Sequence, residues 1–309
     1  MRAFRCIVMS VSLLVTGAMA SGEAVTIHVL GITQDGGYPQ TGCYRLHCAP
    51  AREDATLQRS VSSIAIVDEA AGEKYLFDAT PDINAQLYRL NLVAPDADFL
   101  LAGIFLTHAH IGHYTGLMHF GHEAMGASDV PVFVMPRMGG FLKANGPWDQ
   151  LVRYRNIVLE TLRADSPVTI GNDIRVTPFL VPHRDEYSET VGYRIDGPNK
   201  SAVFIPDIDK WSKWNRDIRE IVRSVDYALL DATFYADGEL PDRAMGEVPH
   251  PFVSESMALL EDLSEEEKAR VIFIHMNHTN ALLINGSGER RTVEARGFKI
   301  AYEGMRLEL

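Results

Sequence analysis

Three histidines lie close together in the stretch "LTHAHIGHYTGL". His108 and His110 are two residues apart, so at the end of an extended strand their side chains share a face. A turn after them can bring His113 back beside the pair. Neutral imidazoles at this spacing suit a divalent transition metal such as zinc. A single histidine of this kind is most often a hydrogen-bonded structural residue, but three after a buried strand indicate a metal site.

Four further polar residues end apolar segments that have the pattern of buried strands. They are Asp78 in "YLFDATPD", His183 in "FLVPH", Asp207 in "FIPDID" and His275 in "FIHMNH". Polar residues that repeatedly terminate buried strands are what a site at one rim of a sheet sandwich requires. We therefore expect these residues to lie near the histidine cluster.

The rest of the chain predicts large sheets covered by helices. Eleven short apolar, β-branched runs, from "VTIHVL" to "FKIAYEGM", have the composition of strands. Helical spacing is found in "DINAQLYRLNL", "YTGLMHFGHEAMG", "WNRDIREIVRSV" and "SESMALLEDLSEEEKAR". Because no linker rich in Pro, Ser or Gly divides the chain, a single α/β domain over residues 21–309 is expected.

Residues 1–20 have the pattern of a secretory signal peptide. Arg2 and Arg5 precede an apolar run, and small residues suit cleavage before Ser21. The sequence therefore predicts a secreted or periplasmic protein. The apolar run is too short to suit a lasting membrane span, so no stable span is expected after cleavage, although an uncleaved anchor is the alternative.

The net charge of the chain indicates the class of partner, and its cysteines indicate a possible disulfide or metal site. The formal net charge is -12, which disfavours nucleic acid as a partner because phosphate binding needs clustered Lys and Arg. A small-molecule substrate is expected instead, and the sequence does not indicate the oligomeric state.

Of the three cysteines, Cys6 is expected to leave with the signal peptide. Cys43 and Cys48 remain, either to form a disulfide or to share a metal.

The histidine cluster resembles the signature of the metallo-β-lactamase superfamily, H-x-H-x-D-H after a strand. The remaining strand-end residues follow in the same order as in that superfamily. The resemblance implies a four-layer αββα sandwich and a two-metal site. By the same resemblance, one metal is held by His108, His110 and His183, the other by His113, His275 and the signature Asp, with Asp207 bridging.

Gly112 stands where the signature Asp is expected. Glycine supplies no ligand, so the second metal position is expected to lose one anionic oxygen and to bind at least about 10-fold more weakly. On this view, an aspartate introduced at Gly112 would restore the ligand if the turn tolerates a side chain. The alternatives are a working single-metal or asymmetric two-metal centre, which the other retained ligands favour, and a degenerate site kept for binding.

Segments including "FDATPDI", "LLDATFY" and "FIHMNHTN" are similar to the PQQ-biosynthesis protein B (PqqB) group. The cysteine segment and "HMNH" are similar to the cyclic phosphate diesterase of phosphonate catabolism. That second likeness implies a structural zinc site on Cys43, Cys48 and His278. Arg45 replaces the middle cysteine of the diesterase pattern, and His47 is the nearest candidate for the fourth ligand. A disulfide between the two cysteines is the alternative.

A metal with an open position generates hydroxide from bound water, so hydrolysis is the expected chemistry. We expect one or two zinc ions at this site, with Fe²⁺ or Mn²⁺ as alternatives. Asp207 is the expected catalytic residue, orienting the hydroxide and relaying its proton. Asp78 is expected either to accept a hydrogen bond from a ligand imidazole or to form a strand-end turn. His250, in a loop with two prolines, is interpreted as a loop histidine without function, with a place at the mouth of the site as the alternative.

Three functions are consistent with these residues. The first is a secreted metal-dependent hydrolase of a small-molecule ester, lactone or phosphodiester. The second is a PqqB-like oxidative or cofactor-maturation enzyme, for which iron is the expected metal. The third is a non-catalytic periplasmic carrier that binds a small acidic ligand in a degenerate site.

Overall fold

The structure is a computed structural model that describes residues 24–240 and 244–309. The signal peptide predicted for residues 1–20 lies outside the described residues. Within them, fourteen strands form two sheets of seven strands each. No helix in the described ranges has the length and apolar character that crossing a membrane requires.

The first sheet is built mainly from the N-terminal half of the chain. Across the sheet its strands are β14 (Arg306–Glu308), β1 (Val25–Gly31), β2 (Ser63–Asp68), β3 (Glu73–Phe77), β4 (Leu100–Phe105), β5 (Val130–Val134) and β6 (Ile157–Thr161). The strands from β14 to β3 pair antiparallel, and those from β3 to β6 pair parallel.

The second sheet repeats this pattern of pairing. Its strands are β13 (Lys299–Ile300), β12 (Val271–Ile274), β11 (Tyr227–Asp231), β10 (Ser201–Ile205), β9 (Val191–Asp196), β8 (Ile174–Leu180) and β7 (Val168–Ile170). The strands from β7 to β10 pair antiparallel, and those from β10 to β13 pair parallel. Strands β8, β10, β11 and β12 therefore all point the same way.

Helices flank the two sheets. They are α1 (Ala49–Glu53), α2 (Ile83–Val93), α3 (Ile111–Tyr114), α4 (Pro136–Ala144), α5 (Trp148–Arg153), α6 (Ile218–Arg223), α7 (Val253–Leu259), α8 (Glu265–Lys268) and α9 (Gly288–Ala295). Helices α2, α4 and α5 contribute Leu90, Leu142 and Leu151 to an apolar cluster with Leu76 and Ile104 of the first sheet. The arrangement is the four-layer αββα sandwich that the sequence predicted.

Aromatic side chains join the two sheets across the interior. Phe77 and Phe105 of the first sheet stack with ring centroids 4.9 Å apart. Tyr193 and Phe204 of the second sheet meet the Phe77 ring edge-on at 5.3 and 6.3 Å. Burying each large apolar side chain contributes roughly 1.5–3 kcal/mol. Phe77 and Phe105 are also the last residues of β3 and β4, so this packing fixes the strand ends that carry the site.

The eleven predicted strands are all present, but two of the four predicted helices are not continuous. The segment "YTGLMHFGHEAMG" forms only the end of α3 and a 3₁₀-helix over Thr115–Phe120. The Gly116 N–H donates to the Ala79 carbonyl at 2.9 Å, which removes it from an α-helical ladder. The last predicted helix divides into α7 and α8, because Ser264 caps the start of α8 through the Glu267 N–H.

Candidate metal centre

The predicted strand-end residues meet at one rim of the sandwich. Asp78 directly follows β3, and His108 lies three residues after β4. His183, Asp207 and His275 follow β8, β10 and β12, whose carboxyl ends share one edge of the second sheet. The structure brings all of these side chains together, so the expectation of a common site matches their placement.

The first group of potential ligands consists of His108, His110, His183 and Asp207. His110 Nδ1 is 2.8 Å from His108 Nε2 and 3.3 Å from His183 Nε2. Asp207 Oδ2 is 3.3 Å from His108 Nε2, 3.2 Å from His183 Nε2 and 3.9 Å from His110 Nδ1. Ligands at ~2.0–2.1 Å from a tetrahedral zinc are about 3.3 Å apart, so this group has the dimensions of a zinc site.

The second group consists of His113, His275 and Asp35. His113 Nε2 is 3.5 Å from Asp35 Oδ1. Asp207 Oδ2 lies 3.8 Å from His113 Nε2 and 4.0 Å from His275 Nε2. One oxygen of Asp207 is therefore close to both groups, in the position that a bridging ligand occupies. Asp35 was not among the predicted ligands, and it precedes the histidine signature by more than seventy residues.

The outer ring nitrogens of the histidines are held by hydrogen bonds. His113 Nδ1 is 2.7 Å from Asp78 Oδ2, His108 Nδ1 is 3.0 Å from Thr107 Oγ1, His275 Nδ1 is 2.9 Å from Thr233 Oγ1, and His183 Nδ1 is 3.3 Å from Asp209 Oδ1. With the proton on Nδ1, each of these rings directs the lone pair of Nε2 into the site. Asp78 is thus placed to accept from a ligand imidazole, as one of its two predicted roles requires.

Two atoms show that the site fits a metal. The Nε2 atoms of His113 and His275 are buried and have no hydrogen-bond partner among the described residues. A buried polar atom without a partner costs about 1–3 kcal/mol. Binding of these lone pairs to a divalent cation removes that cost, and nitrogen and oxygen donors together suit zinc, iron and manganese.

The carboxylates control the charge of the histidines in the metal-free protein. Burial lowers the pKa of His275 and holds that of His108 well below its ordinary value. Burial also acts on His113, but Asp78, Asp35 and Asp207 outweigh it and raise the pKa of His113 to about 9. In the same way, Asp207 and Asp209 outweigh burial and raise the pKa of His183 to about 10.

His250 lies inside the site, although the sequence favoured a loop histidine without function. Its Nδ1 is 2.9 Å from Asp231 Oδ2 and 3.1 Å from Asp207 Oδ1. Burial lowers the pKa of His250, but Asp231 and Asp207 outweigh it and raise that pKa above its ordinary value. The one signal in the sequence was Asp231, a polar residue that ends the apolar run "YALLD".

The four residues predicted for a structural zinc site also lie together. Donor atoms of Cys43, His47, Cys48 and His278 are all within 4.8 Å of one another. Cys43 Sγ is 3.3 Å from His47 Nε2, and the rings of His47 and His278 are 5.1 Å apart. Both cysteines are free thiols, so the alternative disulfide is not formed in this structure. Burial, His47 and Arg45 lower the pKa of His278 to about 4, which keeps its ring neutral for metal binding.

Comparison with known proteins gives consistent results. The family model described as a Beta-lactamase superfamily domain matches residues 73–276. Coenzyme PQQ synthesis protein B of Pseudomonas aeruginosa (strain LESB58) is 28% identical, covering 92% of this chain and 99% of that protein. The same protein of Methylobacterium sp. (strain 4-46) is also 28% identical, covering 91% of this chain and 99% of its own length.

Solved structures agree with the fold. Zn²⁺-bound PqqB from Methylobacterium extorquens superposes with a TM-score of 0.76 at 24% identity, covering 92% of this chain and 100% of that chain. A diphosphatase from the PhnP family superposes with a TM-score of 0.63 at 22% identity, covering 92% and 97%. Since the family model spans more than half of the sequence and the sandwich agrees with these structures, the chain belongs to the metallo-β-lactamase superfamily.

Proposed function

We propose that the protein is a metal-dependent hydrolase of a small-molecule ester, lactone or phosphodiester. The observation that carries this proposal is the position of Asp207. One of its oxygens lies close to both groups of metal ligands, while the other is 3.1 Å from Nδ1 of His250. The same carboxylate therefore links a metal centre to a group that can hold a proton.

His108, His110, His183 and Asp207 would hold a divalent cation, which would supply metal-activated water at neutral pH and a positive charge beside a substrate oxygen. Asp207 is ionised because burial, which opposes ionisation, is outweighed by His183 and His250, which hold its pKa well below the ordinary value. Its carboxylate orients the attacking group and accepts a hydrogen bond from it.

His250 is the residue best placed to handle the leaving group. Asp231 accepts the hydrogen bond from His250 Nδ1 at 2.9 Å, and the charges of Asp231 and Asp207 together favour the protonated ring. Nε2 is then the nitrogen that donates a proton to a leaving oxygen. This arrangement supports catalysis over the alternative of a non-catalytic carrier, because binding alone requires no proton donor.

A second candidate function follows from the relatives. Proteins named coenzyme PQQ synthesis protein B match this chain over 92% of its length. A role in oxidative or cofactor-maturation chemistry is therefore the alternative, with iron as the expected metal. Under either function we propose a structural zinc on Cys43, His47, Cys48 and His278, and export of the mature chain to the periplasm or beyond.

Metal analysis and an activity screen of the purified protein distinguish these functions. Zinc or manganese content with turnover of bis(p-nitrophenyl) phosphate, p-nitrophenyl acetate or a homoserine lactone supports a hydrolase. Iron with substrate-dependent oxygen uptake supports the second function, and binding without turnover supports a carrier.

The test variant is His110→Ala, which removes a ligand of the first group. We expect loss of turnover and of bound metal. His119→Ala is the matched control, because His119 is exposed and lies outside both groups. A folded His110→Ala protein with normal metal content and turnover would overturn the assignment of this site.

A further inference from the structure

Asp35 reaches the site because the chain after β1 crosses to the second sheet. The Met276 N–H donates to the Ile32 carbonyl at 2.8 Å, and the Gln34 N–H donates to the Met276 carbonyl at 2.9 Å. These bonds attach the segment directly beside His275. Asp35 is the next residue after this attachment, so its position is set by backbone pairing.

The Asp35 carboxylate meets the histidine signature at its glycine. The Gly112 N–H donates to Asp35 Oδ1 at 3.2 Å, and His113 Nε2 is 3.5 Å from the same oxygen. The carboxylate thus lies beside the turn in which the superfamily pattern has its aspartate. Asp35 is grouped with His113 and His275, and Asp207, which also lies near the first group, is the other carboxylate close to both histidines.

The space at Gly112 explains why this position is a glycine. A Cβ added there would be 2.2 Å from Asp35 Oδ1 and 2.6 Å from Asp35 Cα. The Cα cannot move without disturbing the backbone attachment to Met276. Any side chain at Gly112 is therefore incompatible with Asp35 in this place. An aspartate at Gly112 was expected to restore a ligand only if the turn tolerates a side chain, and this condition is not met because Asp35 already fills that volume.

We propose that Asp35 is the anionic ligand of the second metal position, acting with His113, His275 and the shared Asp207. The carboxylate is supplied by a loop after β1, and Gly112 provides the room for it. The site then carries two carboxylates for two divalent cations, and the second position is complete. This inference rests on the metal centre that underlies the proposed function.

The experiment measures binding of Mn²⁺ to the chelator-treated protein through the loss of the free-ion EPR signal. Manganese is chosen because the thiolates of Cys43 and Cys48 favour zinc, so the structural site does not add to the count. The native protein should bind two ions. Asp35→Asn preserves size and should weaken the second ion by at least about 10-fold while leaving the first unchanged. Asp185→Asn, at an exposed residue paired with Arg137, is the matched control for charge.

A second substitution tests the charge without the amide group. Asp35→Ala should weaken the second ion as Asp35→Asn does, because both variants lose the anionic oxygen and keep the backbone attachment to Met276. Two ions bound with native affinity by folded Asp35→Asn would overturn the inference and leave the proposed function standing. A native protein that binds no ion would refute the metal centre as a whole.

Discussion

Replacing Asp78 by Asn is expected to weaken the second metal ion without touching a ligand. The Asp78 carboxylate accepts from His113 Nδ1 at 2.7 Å through one oxygen and from the Thr107 N–H at 2.8 Å through the other. Asparagine has a single oxygen, so it cannot accept from both. The substitution therefore changes hydrogen bonding while preserving shape.

Both orientations of the asparagine amide are unfavourable for metal binding. If the NH₂ group faces His113, Nδ1 must accept, and the ring proton moves to Nε2, where it blocks the metal. If the NH₂ group faces Thr107, two buried donors oppose each other at a cost of about 1–3 kcal/mol. Loss of a partner behind a metal-binding histidine typically reduces affinity ~10–100-fold, which is about 1.4–2.8 kcal/mol.

Asp209 offers a comparison on the first metal position. It is 3.3 Å from His183 Nδ1 and partly exposed, so Asp209→Asn should weaken the first ion by less. Mn²⁺ titration of each variant after chelator treatment measures both affinities. An unchanged affinity of Asp78→Asn for the second ion would refute the reasoning. So would a result in which both variants lower the affinity for the same ion.

Three further predictions concern pH, the cysteine cluster and processing. In the metal-free protein the raised pKa values of His113 and His183, about 9 and about 10, stabilise the fold fully below their unfolded value of about 6.5. Urea denaturation in chelator should therefore show stability falling as pH rises from about 6.5 to about 10, whereas metal affinity should rise over the same range; a flat profile contradicts this. Denaturation in chelator without reductant should release two titratable thiols, from Cys43 and Cys48. The His278→Ala variant should lose one equivalent of zinc and keep the metal bound by His108, His110 and His183. A measured protein mass two hydrogens lighter, as a disulfide gives, would contradict the zinc site. Mass measurement of the exported protein should give a chain beginning near Ser21, and an intact N-terminus contradicts cleavage.

Apolar, β-branched runs made eleven of the fourteen strands predictable, but β6, β7 and β14 carried too little signal. Strands β7 and β14 contain three residues each and lie at or beside sheet edges. Their sequences become strands only because a longer neighbour offers hydrogen bonds. The break at Ser264 was visible in advance, since Ser264 and Glu267 have the spacing of a capping box.

The residues of the site also differ in how far the sequence predicted them. Residues that end buried strands, such as His183 and Asp207, were recognisable because the element that carries them is itself recognisable. Asp35 and His250 arrive on irregular segments, and nothing local indicates where such a segment leads. The glycine at Gly112 was a visible departure from the signature, but its meaning depends on a carboxylate remote in sequence.

The two-sheet origin of the ligands has a consequence for the lifetime of the protein. His108, His110 and His113 follow a strand of the first sheet, while His183, Asp207 and His275 follow strands of the second. Bound metal therefore fastens the sheets to each other, and an ion at 100 times its Kd stabilises the folded state by about 2.7 kcal/mol. Metal scarcity should then shorten survival among proteases as well as stop turnover, so the abundance of the protein is expected to follow the supply of its metal.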